Sequence, residues 1–489
     1  MTGSRDSSGL RALRELLEGG TPIRTVVHDS RKVEPGALYA CLRGEQFDGH
    51  DFAADAVARG ATALLTDHRL DDLDGHGPGG RPGEPGVAQI VVDDTRRRLG
   101  PIAAEVAGHP GRALAMVGIT GTNGKTTTAA MMAAIFEAAG MPCGVVGTLH
   151  GPRTTPEAPE LQSVLGGFVD AGKTAAVLEV SSHALAMHRV DGTEFDAVVF
   201  TNLGHDHLDL HGSHEEYFRA KARLFGPPFS SLGVINVDDP YGRLIADAAH
   251  SDVPGREFRI VEYCRDDVSE VEVTAIAHRF TWRGRRVEVP IGGDFNVVNS
   301  LAALTTASEL GIDPDVAIAG LGALLSVPGR FEVVESDETR RRGITVVVDY
   351  AHTPDGLERL LEAARAVVGE GGSLTVVFGC GGNRDRAKRP DMGAVATRLA
   401  ERVVVTSDNP RDESPQAIID DILAGAASSA EVTSIVDRRS AIGEAIGSAT
   451  IGDVVVIAGK GHEATQEFAD RIVEFDDRAV AHEFLEAEE

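Results

Sequence analysis

The stretch Leu114–Thr128, LAMVGITGTNGKTTT, decides the fold of the chain around it. An apolar run, a glycine-rich turn and a run of threonines predict a buried strand, a tight loop and the start of a helix. Glycines allow backbone N–H groups to converge on phosphate oxygens, and the N-terminus of the helix adds partial positive charge. The stretch therefore predicts a loop that binds the phosphates of a nucleotide.

Lys125 and Thr126 carry the chemistry of this loop. In such loops a lysine reaches the outer phosphates, and the hydroxyl that follows it binds a magnesium ion. The stretch is not a standard Walker A motif, because Ile119 stands where that pattern has its first glycine. The alternative is a glycine-rich turn with a chance Lys-Thr pair, which the order of strand, glycines, lysine and threonines disfavours. The residues expected at the phosphates of a nucleoside triphosphate are Gly121, Thr122, Asn123, Gly124, Lys125, Thr126 and Thr127.

Length and composition limit the classes of protein to consider. A chain of 489 residues with 42% hydrophobic residues predicts about three globular domains. The net charge of −28 disfavours nucleic acid and anionic membranes as partners, and the apolar runs fall short of the ~20 residues of a membrane span. The first residues lack a signal-peptide pattern, and the four scattered cysteines form neither a zinc pattern nor a disulfide framework. We expect a cytoplasmic monomer without nucleic-acid or membrane partners.

Apolar runs alternate with helical patterns along the chain, which predicts an α/β fold with mostly parallel sheets. We expect a small N-terminal α/β domain at residues 1–108, a central P-loop ATPase-like parallel-sheet domain at 109–330, and a C-terminal Rossmann-like α/β domain at 331–489. The segment Val327–Gly329 is the expected linker before the last domain. Val271–Ile291 alternates apolar and polar residues around Arg283-Gly284, which predicts a hairpin.

Two predicted strands of the central domain end in residues that suit a metal ion. Glu179 follows the apolar run Ala175–Leu178, and a carboxylate at the end of a strand beside a phosphate loop is well placed to hold magnesium. Asp206, His207 and Asp209 follow the next strand and suggest a metal and phosphate site. A glutamate paired with an arginine and a polar loop without a ligand are the respective alternatives.

Lys221 lies in the helical pattern Glu215–Phe225 and is one of only six lysines in the chain. From the residue pattern alone, a lysine on the solvated face of a helix is the favoured interpretation. Because lysine is so scarce in this chain, a lysine within a motif is harder to dismiss as surface filler.

Four predicted strands of the C-terminal domain end in polar residues. They are followed by Asp349–Pro354, by Gly379–Asp385, by Asp408–Arg411 and by Gly459–Glu463. Ligands of open parallel sheets bind beyond the carboxyl ends of the strands. Two arginines and a glutamate there suit a zwitterion, because arginine pairs with a carboxylate and glutamate with an ammonium group. Ordinary turn chemistry is the alternative for any one of these loops.

Together these motifs resemble the Mur ligase family of ATP-dependent amide-bond ligases of bacterial cell-wall synthesis. The resemblance covers nearly the whole chain, although the segment at 147–154 looks shorter than is usual in the family. Besides the phosphate loop, the matching segments are Asp29–Gly36, Asp48–His50, Thr154–Ala158, Glu179–His183, Asp206–Asp209, Phe295–Asn299 and Asp349–His352.

The resemblance implies ATP and Mg²⁺ as cofactors and assigns roles residue by residue. The further ATP contacts that it implies are Asn296, Asn299, Arg330 and Asp349. The implied contacts of a UDP-muramoyl substrate are Ser30, Thr154, Thr155, Ser182 and Arg189. The implied metal ligands are Thr126, Glu179, His207 and Lys221, the last as an N-carboxylated (carbamylated) side chain. The implied catalytic residues are Lys125, Glu179, His207 and Lys221.

The motif Asp408–Arg411 matches the version seen in family members that select meso-diaminopimelate. The resemblance then implies that ATP phosphorylates the D-glutamate side chain of UDP-N-acetylmuramoyl-L-alanyl-D-glutamate, and that the diaminopimelate amine attacks the acyl phosphate. Because lysine lacks the distal carboxylate, it should leave Arg411 without an anion and be rejected on the order of a thousandfold or more. The implied diaminopimelate contacts are Arg384, Asp408, Asn409, Arg411, Gly459 and Glu463.

Overall fold

The structure is a computed structural model that describes residues 8–44, 47–73, 86–204, 212–250, 258–427 and 429–486. Within these ranges, helices flank three main sheets whose strands are parallel or almost all parallel, and two small antiparallel sheets complete the fold. The predicted three-domain α/β fold is therefore confirmed. No helix within the described ranges is long and apolar enough to cross a membrane.

The N-terminal sheet has four parallel strands. In chain order the elements are α1 (Ser8–Glu18), β1 (Thr25–Val27), β2 (Ala37–Ala40), α2 (Ala53–Ala58), β3 (Ala61–Thr66), β4 (Ala88–Val91) and α3 (Thr95–Val106). The strands lie in the order β1-β2-β3-β4. Along β2, Leu38 and Ala40 face one apolar core while Ala37 and Tyr39 face another, as expected for side chains that alternate across a strand.

The central sheet places the phosphate loop in its middle. In chain order the elements are β5 (Ala115–Thr120), α4 (Lys125–Ala138), β6 (Cys143–Val146), α5 (Ala158–Asp170), β7 (Ala175–Glu179), α6 (Ser182–Ala186), β8 (Ala197–Phe200), α7 (His214–Ala222), β9 (Leu232–Asn236), α8 (Pro240–His250) and β10 (Arg259–Tyr263). The strands are parallel and lie in the order β10-β9-β8-β5-β7-β6. Since β7 and β8 flank β5, the segments that follow these three strands meet at one edge.

A three-stranded antiparallel sheet ends the central part of the chain. Its elements, with the two helices that follow, are β11 (Val268–Val273), β12 (His278–Trp282), β13 (Arg285–Val289), α9 (Phe295–Glu309) and α10 (Pro314–Gly322). The predicted hairpin is confirmed as β12 and β13, and its turn residues Arg283 and Gly284 both have positive φ, 48° and 75°. The sequence pattern did not separate β11, which adds a third strand by pairing with β12.

The C-terminal sheet has six strands. In chain order the elements are β14 (Glu332–Val333), α11 (Asp337–Arg342), β15 (Thr345–Asp349), α12 (Pro354–Arg365), β16 (Leu374–Phe378), α13 (Lys388–Leu399), β17 (Arg402–Val405), α14 (Pro415–Leu423), β18 (Glu431–Ser434), α15 (Arg438–Gly447), β19 (Val454–Ala458), β20 (Thr465–Glu467), β21 (Ile472–Glu474) and α16 (Asp477–Glu486). The six-stranded order is β14-β15-β19-β16-β17-β18, with β14 antiparallel to β15. Strands β20 and β21 form a separate hairpin.

The four strands predicted to end in polar residues are neighbours in this sheet. They lie in the order β15-β19-β16-β17 and run parallel to one another. Val347 faces one apolar core, whereas Val346 and Val348 face the other, so helices cover both faces. The sheet therefore brings the four polar strand ends to one edge, as the sequence predicted.

A fully buried ion pair stabilises the polar edge of the C-terminal sheet. The Arg438 guanidinium donates to the Asp477 carboxylate at 2.7 and 2.8 Å, and both side chains are 0% exposed. Arg438 also donates to the backbone oxygens of Ser407 and Ala458, which follow β17 and end β19. One arginine thereby connects the ends of two strands to the start of α16.

Removing the carboxylate of this pair should destabilise the C-terminal domain strongly. Asp477→Ala leaves the Arg438 guanidinium buried without its anion, which costs about 3–5 kcal/mol of folding free energy. Denaturant unfolding of the purified variant measures this loss. The matched control is Asp470→Ala, because the pair of Asp470 with Arg471 is 73% and 59% exposed and should contribute less than about 1 kcal/mol. Equal stability of the two variants would contradict the assigned role of the buried pair.

Candidate functional site

The phosphate loop runs from the end of β5 at Thr120 to the start of α4 at Lys125. Gly121 and Gly124 have φ values of 155° and 87°. A Cβ at Gly121 would lie 1.9 Å from the Thr201 hydroxyl, and one at Gly124 would lie 2.4 Å from the Asn299 side-chain oxygen. Both glycines are therefore required by close approach as well as by backbone conformation.

Residues that follow β8 hold the loop in place. The Asn202 side chain accepts from the Asn123 backbone N–H at 2.9 Å and donates to its carbonyl at 3.1 Å. The Thr201 hydroxyl donates to the same carbonyl at 2.6 Å, and the Gly204 N–H donates to the Thr122 hydroxyl at 2.9 Å. Contacts within the chain thus hold the loop in place, which is the preorganisation that a phosphate site requires.

Two lysine side chains converge on the same carbonyl oxygen of the loop. Lys125 Nζ donates to the Gly121 carbonyl at 2.9 Å and to the Thr122 carbonyl at 2.8 Å. Lys221 Nζ donates to the Gly121 carbonyl at 2.8 Å. The Lys221 side chain is 1% exposed and lies over the Tyr217 ring, 4.7 Å from its centroid. The interpretation of Lys221 as a solvated helix lysine is therefore wrong, because α7 directs it towards the phosphate loop.

Glu179 lies directly beside the Thr126 hydroxyl. Its carboxylate is 1% exposed and accepts from the Thr126 hydroxyl at 2.8 Å. It also accepts from the backbone N–H and the hydroxyl of Thr148 at 2.9 and 3.2 Å. A buried carboxylate and a hydroxyl in contact at a helix N-terminus are hard oxygen ligands, so these two residues fit a bound Mg²⁺. Asp206, His207 and Asp209 lie outside the described residues.

A cavity of about 490 Å³ opens between the phosphate loop and the C-terminal domain. Among its walls are the loop segment Thr122–Thr127 and Glu179 on one side, and Asp349 and Tyr350 on the other. Phe295 and Asn299 from α9 close a third side. The volume and the mixture of an aromatic wall with a phosphate loop suit a nucleotide.

Arg330 connects the two sides of this cavity. Its guanidinium donates to the Thr126 hydroxyl at 3.1 Å and lies over the Tyr350 ring, 4.4 Å from the centroid. Asp349 accepts from the backbone N–H groups of Phe331 and Ala351 at 2.6 and 2.7 Å. Burial raises the pKa of Asp349 above its ordinary value, and the positive charge of Arg330 opposes that shift. Arg330 and Asp349 are thus brought together with the loop, as predicted.

The two asparagines predicted to contact ATP differ in position. Asn299 lines the cavity, whereas Asn296 is 0% exposed and does not appear on the cavity wall. Asn296 accepts from the Asn299 side chain at 2.9 Å and donates to the Gly292 carbonyl at 2.7 Å. In this structure Asn296 orients Asn299, and a direct contact of Asn296 with ATP stays a prediction.

The predicted muramoyl-substrate residues fall into two groups. Thr154 lines the cavity, and Thr155 is buried beside it, where its hydroxyl donates to the Glu179 backbone oxygen at 2.8 Å. Ser182 is 1% exposed, and its neighbour Ser181 is the serine on the cavity wall. Ser30 is buried in a short 3₁₀ helix of the N-terminal domain, outside this cavity.

Arg189 belongs to a group of three arginines that share one carboxylate. Glu157, 6% exposed, lies 2.9 Å from Arg189, 3.2 Å from Arg96 and 3.5 Å from Arg153. Burial lowers the pKa of Arg189, and the charge of Glu157 opposes that shift. Three cations around one anion leave excess positive charge at the junction of the first two sheets. Arg96 could not be predicted from the local pattern, because it comes from α3, far away in the chain. Arg153 was also missed, although it directly precedes the predicted residue Thr154.

The polar edge of the C-terminal sheet holds the residues predicted for the amino acid. Asn409 donates to the Glu463 carboxylate at 2.8 Å. A Cβ at Gly459 would lie 2.7 Å from the Asp408 carboxylate, so glycine is needed for this close approach. Arg384 is exposed and makes no hydrogen bond or ion pair with any described residue. The structure thus brings these predicted residues to one edge.

Lys460 and Glu467 belong to this edge and were missed from the sequence. Lys460 is 0% exposed, and its Nζ donates to Glu463 at 3.0 Å and to the Asn409 side-chain oxygen at 3.1 Å. Glu467 accepts from the Arg411 guanidinium at 2.9 Å. The premise that lysine would leave Arg411 without an anion is therefore wrong. The scarcity of lysine was a signal for Lys460, whereas no local pattern indicates Glu467.

Comparison with known proteins agrees with this geometry. A model of the Mur ligase family catalytic domain matches residues 22–106, the Mur ligase middle domain matches 119–307, and the Mur ligase glutamate ligase domain matches 329–461. A UDP-N-acetylmuramoyl-L-alanyl-D-glutamate–2,6-diaminopimelate ligase of Streptomyces coelicolor is 43% identical, over 96% of this chain and 93% of that protein. The chain belongs to the Mur ligase family.

Other relatives span the same length. A protein of the same name from Gloeobacter violaceus is 44% identical over 94% of this Mur ligase and 92% of its own length. A solved structure of such a diaminopimelate ligase has a TM-score of 0.65 and 34% identity, and covers 95% of both chains. A MurF ligase from Thermotoga maritima, solved with ADP, has a TM-score of 0.63 at 20% identity, over 96% of this chain and 98% of its own, which shows a shared fold.

Gly147 provides a test of the proposed metal site. A Cβ there would lie 2.2 Å from Glu179 Oε1, so Gly147→Ala must displace the carboxylate. We expect the magnesium-dependent part of ATP affinity to fall about tenfold or more, the value of a lost charge-assisted contact. Calorimetric titration with ATP, with and without Mg²⁺, measures it. Gly151→Ala in the same loop is the matched control, because its nearest neighbouring atom is 3.9 Å away. An unchanged Mg²⁺ dependence in Gly147→Ala would contradict the assignment.

Proposed function

We propose that this Mur ligase adds meso-diaminopimelate to UDP-N-acetylmuramoyl-L-alanyl-D-glutamate, using ATP, in peptidoglycan precursor synthesis in the cytoplasm. The observation that carries the proposal is the one edge of the C-terminal sheet that holds Arg384, Arg411 and Glu463. The same sheet contributes Asp349 to the cavity beside the phosphate loop. Relatives more than 40% identical over nearly the whole chain bear the name of this activity.

The first step is activation of a carboxylate. A carboxylate and an amine do not condense in water, because the carboxylate is a poor electrophile. An oxygen of the D-glutamate side chain attacks the γ-phosphorus of ATP, which forms an acyl phosphate and releases ADP. Lys125 would offset the repulsion between the two anions, and Thr126 and Glu179 would hold Mg²⁺, which when bound neutralises phosphate charge.

The second step requires the amino acid to be held with its amine towards the acyl phosphate. Glu463 would bind an ammonium group, while Arg384 and Arg411 would bind the distal carboxylate, which lysine lacks. The amine at the L-centre attacks the acyl carbon, the amide bond forms, and phosphate leaves with the oxygen that came from the carboxylate. Positioning by the C-terminal domain therefore sets the choice of amine.

We propose that the Lys221 ammonium group loses one proton and that the resulting amine bonds to the carbon of carbon dioxide, which forms a carbamate and releases a second proton. As an ammonium group, Lys221 shares the Gly121 carbonyl with Lys125, so two cations contact one oxygen of the phosphate loop. The carbamate would replace one cation with an anionic metal ligand, which relieves the repulsion and adds an oxygen donor. His207 is proposed as a further ligand from the family resemblance alone.

Lys221→Ala should lose most ligase activity, because the metal ligand is removed, and a short carboxylate such as acetate should partly restore it. Steady-state ADP release with and without acetate is the measurement. Lys173→Ala is the control, since Lys173 lies 3.6 Å from Glu137 in a partly exposed pair. Full activity of Lys221→Ala without acetate would exclude the carbamate.

The proposed function is tested with the purified protein, Mg²⁺, ATP and the UDP-muramoyl dipeptide. ADP release should require both the dipeptide and an amino acid, and meso-diaminopimelate should exceed L-lysine and D-alanyl-D-alanine. Since Glu467 already neutralises Arg411, the preference over lysine reflects lost charge-assisted hydrogen bonds and should be about tenfold to a few hundredfold in kcat/KM. Lys125→Ala should abolish release under all conditions. Equal use of lysine would leave a ligase with a different specificity, and substrate-independent ADP release would contradict the ligase.

A further inference from the structure

The segment that follows the amino-acid edge holds Arg411 through both its backbone and its side chain. The Arg411 N–H donates to the Glu467 backbone oxygen at 3.0 Å, and Arg411 forms a parallel bridge with Phe468. The Arg411 Nε donates to the Glu467 carboxylate at 2.9 Å. Glu467 ends β20, so the β20–β21 hairpin contacts Arg411 directly. Arg411 belongs to the Asp408–Arg411 loop, which lies more than fifty residues earlier in the chain.

The contacts from the hairpin stabilise an unusual backbone conformation of Arg411. Its φ is 50°, in the left-handed region, which is unfavourable for a residue other than glycine. Such conformations persist where surrounding contacts determine them, and they cluster at ligand-binding sites. The hairpin supplies those contacts, so it fixes the direction in which the Arg411 side chain leaves the loop.

The contacts of the Arg411 side chain leave several of its N–H groups for a ligand. Arginine has five N–H donors, and two of them are used, by Glu467 at Nε and by the Gly382 carbonyl at 2.9 Å from Nη1. Among the described residues, Nη2 has no hydrogen-bonding partner. Three N–H groups, one on Nη1 and two on Nη2, therefore remain to bind a carboxylate.

The ion pair between Glu467 and Arg411 also neutralises the charge of Arg411 when no amino acid is bound. The Arg411 side chain is 23% exposed and that of Glu467 is 45% exposed, so the pair lies partly in solvent. A half-buried arginine without an anion would be costly, whereas here its charge is compensated within the chain. Arg384, the other arginine of this edge, is exposed and has no such partner among the described residues. The two arginines are therefore not equivalent.

We infer that Glu467 is a positioning residue for amino-acid selection, which orients the Arg411 guanidinium towards the distal carboxylate of the incoming amino acid and neutralises it in the free enzyme. This inference rests on the proposed function. Glu467 itself touches no reacting atom. Its effect is transmitted through Arg411, and it should therefore change the KM for the amino acid rather than the ATP step.

Two substitutions separate the orienting role from the charge. Glu467→Ala removes both, so Arg411 loses its orientation. We expect the KM for diaminopimelate to rise about tenfold or more, the preference over lysine to fall in proportion, and kcat and the KM for ATP to stay within about twofold. Glu467→Gln keeps a carbonyl acceptor for Nε but removes the charge. It should retain near wild-type KM and should equal or exceed wild type in preference over lysine, because lysine then leaves Arg411 unpaired.

The experiment measures kcat and KM for diaminopimelate, lysine and ATP on wild type, Glu467→Ala, Glu467→Gln and Glu474→Ala. Glu474 lies exposed on β21 of the same hairpin and serves as the control; its variant should match wild type. Melting temperatures verify that all four proteins are folded.

The inference is supported if the preference for diaminopimelate over lysine decreases from Glu467→Gln through wild type to Glu467→Ala. Equal loss for both amino acids in both Glu467 variants indicates a merely structural hairpin residue and overturns the inference. A lower KM for diaminopimelate in both variants would show that Glu467 only repels the substrate, and also overturns it. If wild type discriminates between the amino acids while the variants do not differ from it, the inference fails and the proposed function stands. If wild type does not use diaminopimelate, both fail.

Discussion

The hydroxyl of Thr126 is the contact on which the arrangement of the site depends, because it joins three separate segments. It belongs to the first turn of α4, it donates to Glu179 at the end of β7, and it accepts from Arg330 just before the C-terminal sheet begins. A single small side chain thereby couples the phosphate loop, the carboxylate beside it and the start of the last domain.

The cavity lies between the phosphate loop of the central sheet and the end of β15 in the C-terminal sheet, and the chemistry divides between the two sheets. The central sheet supplies fixed donors and the Lys125 ammonium group, which suit an anionic leaving group and its charge. The C-terminal sheet supplies paired charges such as Lys460 with Glu463, which suit a zwitterion. Each edge is built by strands that pair in a fixed register, and Arg330 connects the start of the C-terminal domain to the phosphate loop through Thr126.

Local pattern was sufficient where a residue's role depends on its neighbours in sequence. The loop glycines, Glu179 after β7 and the turn at Arg283-Gly284 were all readable, because turn chemistry and strand ends are local. The family resemblance, rather than periodicity, supplied the role expected of Lys221. Its burial could not be read from the helix pattern, since it depends on how α7 packs against the loop.

Pairings between distant segments were not predictable from one sequence. Glu467 meets Arg411 across 56 positions, and Arg96 meets Glu157 across 61. A sequence does not show which charged residues form pairs in the fold. Arg411 was expected to have no anion until a substrate bound, whereas Glu467 already neutralises it within the chain. The antiparallel strand β14 was missed for a different reason, because two residues are too few to give a periodic signal.

The most direct test of the central claim follows one oxygen atom. The D-glutamate side-chain carboxylate of the UDP-muramoyl dipeptide is labelled with ¹⁸O and incubated with the protein, ATP, Mg²⁺ and meso-diaminopimelate. If an acyl phosphate forms and the amine displaces it, the inorganic phosphate released will carry one labelled oxygen for each amide formed, as mass spectrometry of the phosphate will show. Product formation with unlabelled phosphate would contradict activation of the carboxylate by phosphoryl transfer.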